Sequence, residues 1–156
     1  MAAFLAGFSE KAVYVPVRPA KWAVAEYCTA NVVAKVKVAE GQPVAGWCIW
    51  YAPGDLIEGE YHCVWKSPTG ELIDLTPKPD GERQILFVPD ITLGYGMHGF
   101  YPNRSTPLSA HGEAVLKQAA EVVKLKRETW EATKGRRDSM LAQICKAAKG
   151  VKPKKK

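Results

Sequence analysis

Hydrophobic and polar positions change period several times along the chain, and each change marks an element. Residues 44–51 (VAGWCIWY) form a short, almost continuous apolar run, the mark of a buried strand. Pro53, Gly54 and Asp55 break it, and 57–66 returns as a strand rich in aromatic and β-branched residues. Ser67-Pro68-Thr69-Gly70 then predicts a turn. Pro68 suits its second position, and Gly70 can take the left-handed conformation that follows. Residues 71–76 alternate in polarity and read as the returning strand. A turn of this kind pairs Ser67 with Glu71 and sets Val64 opposite Asp74. Pro77, Lys78, Pro79, Asp80 and Gly81 make a second tight connection, and 84–88 (QILFV) is a short strand stopped by Pro89. Residues 12–17 (AVYVPV) predict an edge strand, because Pro16 cannot donate to a central ladder.

Residues 21–38 are ambiguous, since alanines favour helix while Val32, Val33, Val36 and Val38 tolerate strand. The recurrence of Cys28, Val32 and Val36 every fourth residue decides for a helix starting near Cys28, ended by Glu40-Gly41-Gln42-Pro43. A second helix is expected from Thr106-Pro107, where Thr can cap and Pro fits the first turn. Its buried stripe is Leu116, Ala119, Ala120, Val123 and Trp130, and Gly135 ends it. Met140, Leu141, Ile144, Cys145 and Ala148 mark a last short helix. Between strands and helices, 92–106 reads as a Gly-rich surface loop in which Met97-His98-Gly99-Phe100 is a candidate lid. These elements predict one α+β domain over residues 1–150. An antiparallel β-meander of four to five strands packs against an N-terminal Cys-bearing helix and C-terminal helices, and 151–156 is a basic flexible tail.

Composition narrows the classes. A chain of 156 residues with 47% hydrophobic and 24% charged residues is globular and long enough to bury a core. Its net charge of +6 is uneven: from Ala110 onward 10 Lys and 3 Arg face 4 Glu and 1 Asp. The apolar start at 2–8 lacks a preceding basic residue and is interrupted early, so no signal peptide is expected, and no apolar run is long enough to span a membrane. Four cysteines without a CxxC pair argue against disulfides and structural zinc, which points to a reducing cytoplasm. No P-loop, dinucleotide fingerprint or HExxH motif suggests a cofactor.

The hairpin register carries the candidate chemistry. It sets His62 opposite Thr76 and diagonal to Asp74, about 7–8 Å apart at the backbone, within reach of an imidazole and a carboxylate. A His oriented by an acid on the next strand is two-thirds of a thiol triad. Cys28 is the candidate thiol, because a helix N-terminus lowers a thiol pKa. Cys48 and Cys63 lie within strands, Cys63 alternates away from His62, and Cys145 belongs to an apolar stripe.

Cys28 on a helix, His62 on a strand and Asp74 on the following strand resemble, in that order, the core of papain-like and transglutaminase-like thiol enzymes. The matching stretches are Cys28-Thr29-Ala30-Asn31-Val32, Gly46-Trp47, His62 with Trp65, and Asp74-Leu75-Thr76. The spacing His-x-x-Trp differs from the usual His-x-Trp. Residues 22–90 also look like an uncharacterised family of small bacterial and phage proteins. That family's pattern runs through Gly46-Trp47, Glu58 to Trp65, Ser67 to Gly70, Asp74 to Pro77 and Phe87 to Asp90. The resemblance implies a small cysteine hydrolase acting on an amide or isopeptide bond of a peptide or protein. Cys28 would attack, His62 would move the proton and Asp74 would fix the imidazole. Asn31, Trp47, Glu58 and Trp65 are the candidate binding residues around this site. The rival expectation is a non-catalytic binding module, such as a phage-encoded inhibitor of a host protein or a nucleic-acid binder using the basic C-terminal part. Aromatic residues are not interleaved with those basic residues, so nucleic acid is the less favoured partner.

Overall fold

The computed structural model describes residues 1–94 and 101–151. The candidate lid Met97-His98-Gly99-Phe100 and the basic tail from Lys152 on lie outside the described residues. The elements run α1 (Ala2–Leu5), β1 (Val13–Pro16), α2 (Cys28–Val38), β2 (Gln42–Ala52), β3 (Leu56–Lys66), β4 (Leu72–Ile73), β5 (Gln84–Pro89), β6 (Arg104–Pro107), α3 (Ala110–Ala132) and α4 (Lys134–Gly150).

Six antiparallel strands form one sheet in the order β1-β5-β2-β3-β4, with β6 also on β3. The fold is α+β, with helices before and after the sheet. The meander runs in chain order through β2, β3 and β4, and β5 then crosses to the other side of β2. There it pairs Trp47 with Val88 and Cys48 with Phe87. The Pro16 strand is the outer edge, as its missing N–H requires. Both hairpins follow their turn residues. Gly54 and Gly70 sit at φ 81° and 90°, and the Ser67 amide donates to the Glu71 carbonyl at 2.8 Å.

The register Trp65↔Ile73 also follows the turn, but the third strand stops there. The Asp74 amide donates to the Pro16 carbonyl (3.0 Å), and the Asp74 carbonyl accepts from the Arg18 amide (2.8 Å). The expected strand over 71–76 is therefore two residues long, and Thr76 does not pair with His62. Competition from the end of β1 for the same backbone groups is the physical reason.

The core is layered. Val32, with Cys28 and Val36 beside it, faces the sheet against Cys63, Trp65, Ile73 and Leu75. Ala30 and Ala34, on another side of α2, are small enough for α4 to approach, and they pack against Ile144, Cys145 and Ala148. The sheet's second face holds Val15, Cys48, Val64, Ile85 and Phe87. Helix α4 thus covers α2 rather than the sheet.

Three sequence expectations change in the C-terminal part. Thr106 and Pro107 belong to β6, a strand inside the expected loop. The cap of α3 is Ser109, whose Oγ accepts from the Gly112 amide at 3.0 Å. The helix break falls at Thr133, and Gly135 lies within α4. Helix α3 is 23 residues long, yet Gly112 is its one buried residue. Of its expected buried stripe, Leu116, Ala119, Val123 and Trp130 are half-buried and Ala120 is exposed.

Candidate active site

The outer edge of β3 is covered at one end by β4 and at the other by β6, so that among the described residues no strand pairs with 60–64 on that edge. Cys28, His62 and Asp74 meet at this gap. Cys28 is the first residue of α2. It is led in by Glu26, whose φ of 67° is left-handed and strained for a side-chain-bearing residue. The cap residue Tyr27 makes no side-chain cap bond, so the first-turn amides are not spent on a neighbouring side chain. The Cys63 backbone on this edge helps to lower the Cys28 thiol.

His62 Nε2 lies 2.9 Å from Asp74 Oδ2, with the imidazole 7% and the carboxylate 0% exposed. The imidazole is also electrostatically coupled to the Cys28 thiol. Asp74 Oδ1 accepts from the Thr76 amide at 2.9 Å. Past β4, the Asp74 backbone is held by Pro16 and Arg18, and one oxygen of its buried carboxylate is fixed on the Thr76 amide while the other faces His62.

The charges reinforce one another. Burial pushes the Cys28 thiol up, but the His62 charge and hydrogen bond outweigh it and hold the thiol below its ordinary value. Burial works against the imidazolium, and the Cys28 charge with Asp74 lifts His62 to about 9. Burial likewise disfavours the Asp74 carboxylate, and His62 and Lys78 hold it below the usual range. Both shifts favour the charged pair, thiolate with imidazolium, over the neutral one. The other thiols differ. Burial raises Cys48 to about 12 and drives Cys63 well above its ordinary value. All four cysteines are free.

The four expected binding residues have structural partners. Asn31 is fully buried and staples α2 to the preceding loop. Its Oδ1 accepts from the Val24 amide (2.9 Å), and its Nδ2 donates to the Val24 carbonyl (2.8 Å) and Thr76 Oγ1 (3.3 Å). Trp47 donates to Asp90 Oδ2 at 2.9 Å and packs near Phe8. Glu58 accepts from Asn103 Nδ2 (2.7 Å), just ahead of β6, and from Ser105 Oγ on that strand (2.8 Å). Trp65 lies in the core between sheet and α2, with the Lys35 ammonium 4.6 Å from its ring centre.

Two neighbours of the triad carried no sequence signal. Lys78 Nζ lies 3.0 Å from Asp74 Oδ2, and its side chain is 10% exposed. The prolines on either side rule out a helix, so no periodic pattern linked it to Asp74. Tyr61, next to His62, alternates onto the α2 side, where its hydroxyl is 3.5 Å from Thr29 Oγ1. Its ring stacks on Tyr101 at 4.6 Å, and its hydroxyl donates to the Gly94 carbonyl at 3.0 Å. Thr29 Oγ1 in turn lies 3.9 Å from the Cys28 sulfur.

Among the described residues no His, Cys, Asp and Glu cluster could hold a metal ion, and no helix is long and apolar enough to cross a membrane. In comparisons with known proteins, no family model, curated protein or solved structure matches the chain. A functional reading therefore stands on the geometry of the site itself.

Proposed function

We propose that the protein is a small cysteine hydrolase, peptidase- or amidase-like, using Cys28, His62 and Asp74 on a peptide or protein substrate. One observation carries the reading: a half-buried thiol at a helix start is electrostatically coupled to an imidazole, which lies 2.9 Å from a buried carboxylate. The Cys28 thiolate attacks the acyl carbon, and the free first-turn amides of α2 receive the oxyanion. His62 gives its proton to the departing amine, and a thioester remains on Cys28. His62 then takes a proton from water, whose oxygen attacks the thioester carbon; the C–S bond breaks, the acid leaves, and thiolate and imidazolium are restored. Asp74 keeps the ring oriented throughout.

Iodoacetamide labelling at neutral pH, read by mass spectrometry, tests the resting state. Cys28 is expected to react on the order of tenfold faster than an unstructured peptide thiol, while Cys48 and Cys63 stay unlabelled in the folded protein. His62→Ala should erase the acceleration. Equal rates for Cys28 and the free peptide thiol, unchanged by His62→Ala, would end the catalytic reading. On fluorogenic amide and isopeptide libraries, Asp74→Asn should lower kcat about 10²–10⁴-fold and Cys28→Ala should abolish turnover.

A binding module remains the second reading. It is favoured by α3, which exposes Val115, Val122 and Leu125. Binding of a partner that survives Cys28→Ala separates it from hydrolysis, and a steep loss between low and physiological salt would mark that partner as nucleic acid.

A further inference from the structure

Asp74 answers to two cations rather than one. Its Oδ2 lies 2.9 Å from His62 Nε2 and 3.0 Å from Lys78 Nζ, both as ion-pair contacts off the hydrogen-bond line. An ordinary surface lysine keeps its ammonium in water. Lys78 instead holds its side chain 10% exposed, with the ammonium 6.0 Å from the Trp50 ring centre. Burying a lysine is costly without a paired anion, so the position demands Asp74 as its partner. Pro77 and Pro79 flank it, and their fixed φ limits where its backbone can go.

We infer that Lys78 is a positioning residue of this site: it clamps the Asp74 carboxylate against His62 and cancels the excess negative charge behind the imidazole. The inference rests on the thiol-hydrolase reading for its meaning, though not for its measurement. With Lys78 present, thiolate, imidazolium, carboxylate and ammonium sum to zero, which a buried site tolerates. Without it, one negative charge is left over and holds the proton on the imidazole. That proton must leave before His62 can activate water for deacylation. Other ionisable groups around the four are the thiols of Cys48 on β2 and Cys63 on β3, the Tyr61 phenol on β3, and the carboxylates of Glu60 on β3 and Glu82 ahead of β5. None of them supplies a second cation, so Lys78 carries the compensation.

The test is the titration of the His62 ring by NMR in the full chain, for wild type, Lys78→Met and Lys78→Arg. Loss of a neighbouring cation raises an imidazole's proton affinity. The Lys78→Met midpoint should therefore lie above the wild-type one by about one unit, a tenfold change in proton affinity, while Lys78→Arg stays close to wild type. A merely structural lysine would change the melting temperature and leave the midpoint where it was. An unmoved midpoint in folded Lys78→Met overturns the proposal. Should that variant not fold, the wild-type protein decides through its Lys78 Nζ resonance. Coupling requires an inflection at the His62 midpoint, and a flat response overturns the idea. Failure of Cys28 to show accelerated alkylation would remove the hydrolase reading and leave this titration result standing, so the two can fail separately.

Discussion

His62 holds its proton to about pH 9, well above the 6.5 of an unperturbed imidazole, although burial alone would drive it the other way. The first cause that raises it is the Cys28 charge, ahead of Asp74. Cys28→Ala should therefore lower the His62 midpoint, read from its ring resonances, and an identical midpoint in both proteins would contradict the ion pair. The linkage to stability has opposite signs at the two residues. His62, with a raised folded value, contributes stability that is complete below about pH 6.5 and is lost as pH rises through about 9. Cys28, with a lowered folded value, contributes stability that is present above its ordinary value of 9.0 and is lost as pH falls through the folded one. Asn31 acts on shape rather than charge. Asn31→Ala leaves both polar groups of the Val24 backbone without their partner and should cost about 2 kcal/mol in denaturant unfolding. The start of α2 would loosen with it, and Cys28 alkylation should slow.

At the scale of elements, the two hairpins and α2 were readable because their signals are local: turn residues in the right order, and a four-residue recurrence on the helix. The end of β4 was not. Residues 71–76 alternate like a strand, but past Ile73 the backbone hydrogen bonds go to β1, far away in sequence. Strand β6 and the Ser109 cap were hidden for a similar reason. Leu108 N–H donates to the Asp55 carbonyl (2.7 Å) and Ser109 Oγ to Asp55 Oδ1 (3.0 Å), so the turn between β2 and β3 sets where α3 begins. Glycines at such joints are tight. A Cβ on Gly46, which pairs with His62 across β2 and β3, would overlap the Val88 carbonyl and the Phe87 ring. Gly46→Ala should thus cost at least about 2 kcal/mol, seen as a lowered denaturant midpoint. A substitution tolerated without loss would show that β5 can move away from β2.

Over the whole molecule, stability is unevenly distributed. Helix α2 is packed on two sides, by the sheet and by α4, whereas α3 buries Gly112 alone. Native-state hydrogen exchange should show the deepest protection in α2, β2 and β3 and rapid exchange along the middle of α3. Equal protection of α3 and α2 in the isolated protein would mean that α3 is covered in solution, by a second copy or another partner. Helix α4 of the basic C-terminal part packs with Tyr27 and Ala30, on either side of Cys28, and so supports the start of α2. Truncating that part beyond Gly150 should leave Cys28 alkylation unchanged.

Taken alone, the residue order determined the α+β class, the helix beginning at Cys28, the hairpin that carries His62, and Cys28, His62 and Asp74 as a candidate set. Each of these depends on neighbours within a few positions, where propensity, turn chemistry and period act directly. Tertiary structure decided that Asp74 turns away from its strand, that Lys78 joins it, and that Tyr61 and Thr29 stand beside the thiol. Those outcomes depend on which distant backbone groups compete for the same hydrogen bonds and on charges that become partners only once buried. Neither leaves a periodic trace in the chain.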